Sequence, residues 1–124
     1  MEDKKVRILV VDDSKECREI CLRVLRKEGY VVHSVDNGRK ALEELKATRF
    51  DLVITDLKMP EMDGLSLLKK VKEIDPKIFV IVMTGYPREE SKTQAIELGA
   101  SGYLAKPLDV SELVSAVKSC LKQR

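Results

Sequence analysis

The sequence predicts an α/β fold, a doubly wound five-stranded parallel sheet of order 2-1-3-4-5 with helices on both faces. Three observations carry this. Short β-rich runs alternate strictly with helical patterns along the 124 residues. Several of the runs are apolar on both faces, as strands between two helix layers must be. The runs also end in chemistry: Val6–Val11 leads into Asp12-Asp13, Asp51–Thr55 into Asp56, Phe79–Met83 into Thr84, and Tyr103–Ala105 into Lys106. Parallel strands bring those ends to one edge of the sheet, where open α/β sheets place their ligand sites.

Strands are expected at about 6–11, 30–35, 51–55, 78–83 and 101–105, and helices at about 15–28, 38–48, 64–74, 88–98 and 109–122. The first strand, Val6-Arg7-Ile8-Leu9-Val10-Val11, is almost continuously apolar. The first helix follows from Cys17, Ile20, Cys21, Val24 and Leu25, one apolar stripe at helical spacing, with Ser14 as its N-cap and Gly29 at its end. Tyr30-Val31-Val32-His33-Ser34-Val35 is more polar and fits an edge strand. Leu52-Val53-Ile54 and Ile78-Phe79-Val80-Ile81-Val82-Met83 read as buried strands, and Gly99 marks the turn after the fourth helix. Val110, Leu113, Val114, Val117 and Leu121 form the stripe of the last helix, capped by Asp109. Right-handed crossovers leave few topologies. Among them, 2-1-3-4-5 is the common doubly wound order, a choice that spacing alone does not make. It puts the switch point between the first and third strands, flanked by Asp12, Asp13 and Asp56.

Length fits a single domain over residues 1–124 with one hydrophobic core. No tract approaches the roughly 18 apolar residues of a membrane span. Met1-Glu2-Asp3-Lys4-Lys5 does not open a signal peptide, so a soluble, cytoplasmic protein without membrane contact is expected. The net charge of +2 arises from 23 basic and 21 acidic residues, and there is no Trp, so this domain is not expected to contact nucleic acid directly. Three cysteines argue against a disulfide framework. Cys17, Cys21 and Cys120 read as buried small hydrophobes. The only histidine, His33, reads as a surface residue of the edge strand.

The strand ends gather three carboxylates (Asp12, Asp13, Asp56), the Thr84 hydroxyl and the Lys106 ammonium in one crevice. Alone, an aspartate at a strand end is a cap or turn residue, Thr84-Gly85 is turn chemistry, and Lys106 is a solvated lysine. Together they mean something else. Packed carboxylates repel one another and need a cation, which points to a bound divalent metal. An oxygen-only, water-rich site suits Mg²⁺, or Mn²⁺, better than zinc. Asp56 is the central group, with Lys106 offsetting charge on the far side. Three like charges share the crevice without a cation, so Asp12→Ala or Asp13→Asn is expected to stabilise the metal-free fold by about 1 kcal/mol.

Four segments resemble the receiver domains of two-component response regulators, over essentially the whole length. Ile8-Leu9-Val10-Val11-Asp12-Asp13-Ser14 is similar to the opening strand and acidic pair of that family. Asp51-Leu52-Val53-Ile54-Thr55-Asp56-Leu57-Lys58-Met59-Pro60-Glu61-Met62-Asp63-Gly64 is similar to its phosphoacceptor strand and the loop beyond. Met83-Thr84-Gly85 and Tyr103-Leu104-Ala105-Lys106-Pro107 match its hydroxyl and lysine segments. The resemblance implies a flavodoxin-like sandwich in which Asp56 takes a phosphoryl group from a phosphohistidine of a histidine kinase or histidine phosphotransfer protein. It implies Mg²⁺ held by Asp13, Asp56 and the Lys58 carbonyl, with Asp12 acting through water. Lys106 and Thr84 would bind phosphoryl oxygens, Thr84 and Tyr103 would form a switch, and Lys106-Pro107 would be a cis junction. Lys58 and Tyr86 would stand at the mouth of the site. With no output domain after Arg124, the readout would be surface contacts with a downstream protein, unless the chain is a piece of a longer regulator.

Two other classes compete. A haloacid-dehalogenase-type phosphatase also uses Asp and Mg²⁺, but in an Asp-x-Asp pattern after the first strand, where this chain has Asp12-Asp13. A flavin carrier wants a Ser/Thr/Gly-rich loop there and aromatics against the flavin, and Ser14-Lys15-Glu16-Cys17 is not one.

Overall fold

Five parallel strands alternate with five helices in the computed structural model, which describes residues 5–123. The signal-peptide reading of the N-terminus concerns residues 1–4 for the most part and, like Arg124, lies outside the described residues. The elements run β1 Arg7–Val11, α1 Lys15–Lys27, β2 Val31–Val35, α2 Gly38–Ala47, β3 Leu52–Asp56, α3 Gly64–Ile74, β4 Phe79–Thr84, α4 Glu89–Glu97, β5 Gly102–Ala105 and α5 Val110–Leu121. The sheet order is β2-β1-β3-β4-β5, as expected.

Alternation along the strands builds two cores. Leu9, Val11, Val53, Val80 and Val82 face Ala41 and Leu45 of α2, Leu67, Leu68 and Val71 of α3, and Ala95 of α4. Ile8, Val10, Leu52, Ile54, Ile81 and Met83 face Cys21 and Leu25 of α1 and Leu113, Val117 and Cys120 of α5. Both faces of the central strands are thus sealed, which is why their sequences are apolar throughout. Ser14 and Asp109 cap their helices, Ser14 Oγ accepting from Cys17 N at 3.3 Å and Asp109 Oδ1 from Ser111 N at 2.9 Å. Gly29 and Gly99 close α1 and α4 at φ +96° and +104°, a region costly for any residue with a Cβ.

The structure departs from expectation in detail. Asp56 and Thr84 are the last residues of β3 and β4 instead of the first beyond them. Each still has a strand neighbour, Asp56 opposite Met83 and Thr84 opposite Ala105, so the ladder runs one residue further. Cys21 and Cys120 are buried, but Cys17 is only half-buried. It lies on the first turn of α1, beside a cleft of about 240 Å³ lined also by Ile20, Lys106, Pro107 and Leu108. His33 is half-covered, set edge-on to Phe50 with centroids 5.6 Å apart and with Nδ1 3.5 Å from Glu44 Oε1.

Candidate functional site

Strand ends deliver the functional groups to the C-terminal edge of the sheet. Asp12, just past β1, is fully buried. Its Oδ1 accepts from Ser14 N at 2.9 Å and its Oδ2 from Lys106 Nζ at 2.7 Å. Burial alone would raise its pKa, but the hydrogen bonds from Lys106 and the Ser14 amide outweigh burial and hold the carboxyl below its ordinary value. Asp56 is 7% exposed, and its Oδ2 lies 3.3 Å from the same ammonium. There the balance reverses. Burial and the neighbouring Asp12 charge push Asp56 up, and Lys106 offsets them only in part. Burial would lower Lys106, but its two carboxylate partners outweigh that effect and raise it.

Asp13 is exposed and completes the trio. One carboxylate oxygen from each of Asp12, Asp13 and Asp56 can be chosen so that all lie within 4.8 Å of one another. The donor set is oxygen alone, the kind a hard divalent cation takes. A raised Asp56 beside an exposed Asp13 is a carboxylate pair short of positive charge, so these residues fit a metal.

One sequence expectation fails here. Lys106 does not stand on the far side of Asp56; it sits between Asp56 and Asp12. Asp12 is therefore the satisfied member of the trio, and removing it should destabilise the metal-free fold. Repulsion is concentrated at Asp56, whose carboxylate has no backbone donor among the described residues like the one Ser14 gives Asp12.

The loops around the trio are tightly tied. Leu57 N donates to Met83 O at 2.8 Å, and Gly64 N donates to Leu57 O at 2.8 Å. A Cβ on Gly64 would sit 2.8 Å from Leu57 Cα and closer still to the Asp56 carbonyl oxygen, so only glycine lets α3 start this near the acidic strand. Thr84 is buried, and its Oγ1 accepts from Tyr86 N at 3.0 Å. Lys58 Nζ lies 4.8 Å from the centroid of the Tyr86 ring, which is 66% exposed. The Lys106–Pro107 peptide bond is cis. Tyr103 is half-buried against the α2–α4 core, with its hydroxyl 2.6 Å from Ser91 Oγ and accepting from Arg88 N at 3.3 Å.

Sequence reasoning missed three contributors. Gly64 could have been noticed as a glycine opening a helix after an Asp N-cap. Ser91, the partner of Tyr103, and Arg18, which donates to the Asp12 carbonyl at 2.7 Å, carry no local signal, because each acts across a tertiary contact.

A sheet of this order with carboxylates, a hydroxyl and a lysine at its C-terminal edge defines a class, the phosphoacceptor modules of two-component signalling. The chain belongs to the response regulator receiver domain family, whose pattern it matches over residues 8–118. It is 43% identical over 115 residues to sporulation initiation phosphotransferase F of Bacillus subtilis, covering 93% of each chain. It is 40% identical over 121 residues to the transcriptional regulatory protein ZraR of Escherichia coli, covering 98% of this chain. The chain spans only 27% of that relative's length. Among solved structures, a receiver domain protein of Methanospirillum hungatei superposes with a TM-score of 0.92 at 30% identity, over 97% of this chain and 96% of the other. The protein is thus a phosphoacceptor domain of two-component systems. The phosphatase alternative gains no support.

Proposed function

We propose that Asp56 is the phosphoacceptor and that the reaction depends on Mg²⁺, with Mn²⁺ as a substitute. The observation that carries this is the state of Asp56: nearly buried at the end of a central strand, raised by burial and by Asp12, and 3.3 Å from a lysine ammonium. Asp13, Asp56 and the Lys58 carbonyl would hold the metal. Asp12 would act through water, since Ser14 N and Lys106 already engage its two oxygens. The bound ion would neutralise charge between an anionic nucleophile and an anionic phosphoryl group. An Asp56 oxygen attacks phosphorus on a partner's phosphohistidine. The O–P bond forms as the P–N bond breaks, and the electron pair stays on the imidazole. Lys106, already among the carboxylates, pairs with a phosphoryl oxygen. The Thr84 hydroxyl, which accepts from Tyr86 N, keeps its own proton to donate to another.

The added charge of about −1.5 to −2 biases a two-state element, formed by the Thr84 loop and Tyr103. Lys58 and Tyr86, which meet at the mouth, govern the approach of water to the acyl phosphate. The partners are a histidine kinase or histidine phosphotransfer protein upstream and a protein partner, or an output domain of a longer chain, downstream. The domain works in the cytoplasm as one receiver unit and assists its own phosphorylation and dephosphorylation without turning over a separate substrate. Incubation with Mg²⁺ and a small acyl-phosphate donor should add one phosphate, as read by intact mass. Asp56→Ala should take none, and equal labelling of that variant would refute the assignment.

A further inference from the structure

Pairing between β1 and β2 continues one bond past the strands, with Asp12 N donating to Val35 O at 3.2 Å. Beyond that point β2 gives way to the Asp36-Asn37 turn that caps α2. The Asp12 carbonyl, facing no further strand residue, meets a side chain: Arg18 Nη1 donates to it at 2.7 Å. Arg18 is half-buried, and its own amide donates to Ser14 O at 3.1 Å. The base of the guanidinium arm is therefore fixed in the first turn of α1, directly behind the N-cap.

We infer that Arg18 is a positioning residue for the metal site, holding the Asp12 carbonyl and thereby the direction in which Asp13 presents its carboxylate to Asp56. The inference rests on the proposed role of Asp13 and Asp56 as metal ligands. The physical reason is the rigidity of the peptide unit. Its six atoms lie close to a plane, so anchoring the Asp12 oxygen also anchors the nitrogen and Cα of Asp13. The Ser14 N bond to Asp12 Oδ1 closes an Asx turn across this peptide and restrains it from the side-chain end, and Lys106 holds only the carboxylate. Arg18 alone grips the carbonyl oxygen itself, and so fixes the tilt of the peptide plane. Asp13 is exposed, so no packing around its side chain substitutes for a backbone anchor. Residues that orient ligands in this indirect way set metal affinity as strongly as many direct contacts.

A guanidinium near a metal site also acts as a charge, and that effect has the opposite sign. As a bare positive charge Arg18 repels a cation, so its removal would tighten binding. As an anchor for Asp13 it pre-organises a ligand, so its removal weakens binding.

Titration of ¹⁵N-labelled protein with MgCl₂, followed at the amides of Asp13, Leu57 and Met59, reads binding without any phosphoryl chemistry. Arg18→Met keeps the length and helical preference of the side chain and removes its donors; Arg18→Leu is a second neutral variant, also without a donor, should the first fail to fold. In either, the Mg²⁺ dissociation constant should rise roughly tenfold, the low end of what loss of a ligand-orienting partner costs. The rate of labelling by a small acyl-phosphate donor should return to the parent's at saturating Mg²⁺. Arg18→Lys retains a donor and should bind more tightly than Arg18→Met. Unchanged or tighter Mg²⁺ binding in the neutral variants overturns the inference, as does a lysine variant no better than methionine. A lowered melting temperature in chelator with an unaltered dissociation constant is a purely structural role and also overturns it. If the parent's amides do not respond to Mg²⁺, the metal reading itself fails. If they respond and the variants match the parent, only the role of Arg18 fails.

Discussion

Asp12 and Asp56 are both buried carboxylates of one site, yet their removal should move stability in opposite directions. Asp12→Ala deletes a charge-assisted bond to Lys106 at 2.7 Å and an acceptor for Ser14 N at 2.9 Å. Hydrogen bonds to charged groups are worth about 1.5–3 kcal/mol each, and part of this one is screened because Lys106 is 21% exposed, so a loss of about 2 kcal/mol is expected. Asp56→Asn keeps the size and hydrogen-bonding shape of the side chain while removing a charge that burial and Asp12 both disfavour. Lys106 retains its shorter bond to Asp12. Relief of this kind is the familiar stability gain at a functional site, here about 1 kcal/mol. The pH dependence follows from the signs of the shifts. Asp12 is lowered from 3.8, so its contribution is present above that pH and is lost as pH falls through its folded-state value. Asp56 is raised from 3.8, so its stabilising form is the protonated one, lost as pH rises through its folded-state value. The Asp12 loss should therefore be full at neutral pH and shrink only below 3.8, whereas the Asp56 gain should fade as pH falls through its raised folded-state value and be gone by 3.8. Urea midpoints in chelator, at pH 7 and at the acid end, measure them. A rise in stability for Asp12→Ala at pH 7 would refute the assignment of Lys106 as the partner of Asp12 and restore simple carboxylate repulsion.

Mg²⁺ should raise the melting temperature of the parent by linkage, and the rise should disappear in Asp13→Ala; an equal rise in that variant would exclude Asp13 as a ligand. Tyr103→Phe keeps the ring but removes the hydroxyl that meets Arg88 N and Ser91 Oγ at the start of α4, a helix with no side-chain cap of its own. A cap is worth about 1 kcal/mol, so amides of residues 88–92 should exchange roughly five times faster, and unchanged protection would show that the hydroxyl does not hold the helix. Gly64→Ala forces a methyl against the backbone of Asp56 and Leu57, and should cost about 1–3 kcal/mol in urea unfolding together with a slower labelling rate. A neutral substitution there would mean that the loop can yield.

Much of this protein is readable from one dimension because its signals are local. Apolar continuity in Val6–Val11, Leu52–Ile54 and Ile78–Met83 states burial on both faces, and a sheet with both faces covered by helices leaves few topologies. The acidic, hydroxyl and basic residues at the strand ends are collected by topology alone: parallel strands end on the same side whatever their neighbours are. The sign of each interaction within the site needed the tertiary structure. Whether Lys106 stands beside Asp56 alone or between Asp56 and Asp12 is a matter of a few ångströms across a separation of 94 residues, and it decides which carboxylate is satisfied and which is strained. The same holds for Arg18 on the Asp12 carbonyl and for Ser91 on Tyr103, where ordinary polar residues acquire roles through contacts that spacing does not encode. Periodicity records which face of an element is buried, because burial acts on each residue separately. Pairing of charges is a property of two residues and the distance between them, and only the folded chain sets that distance.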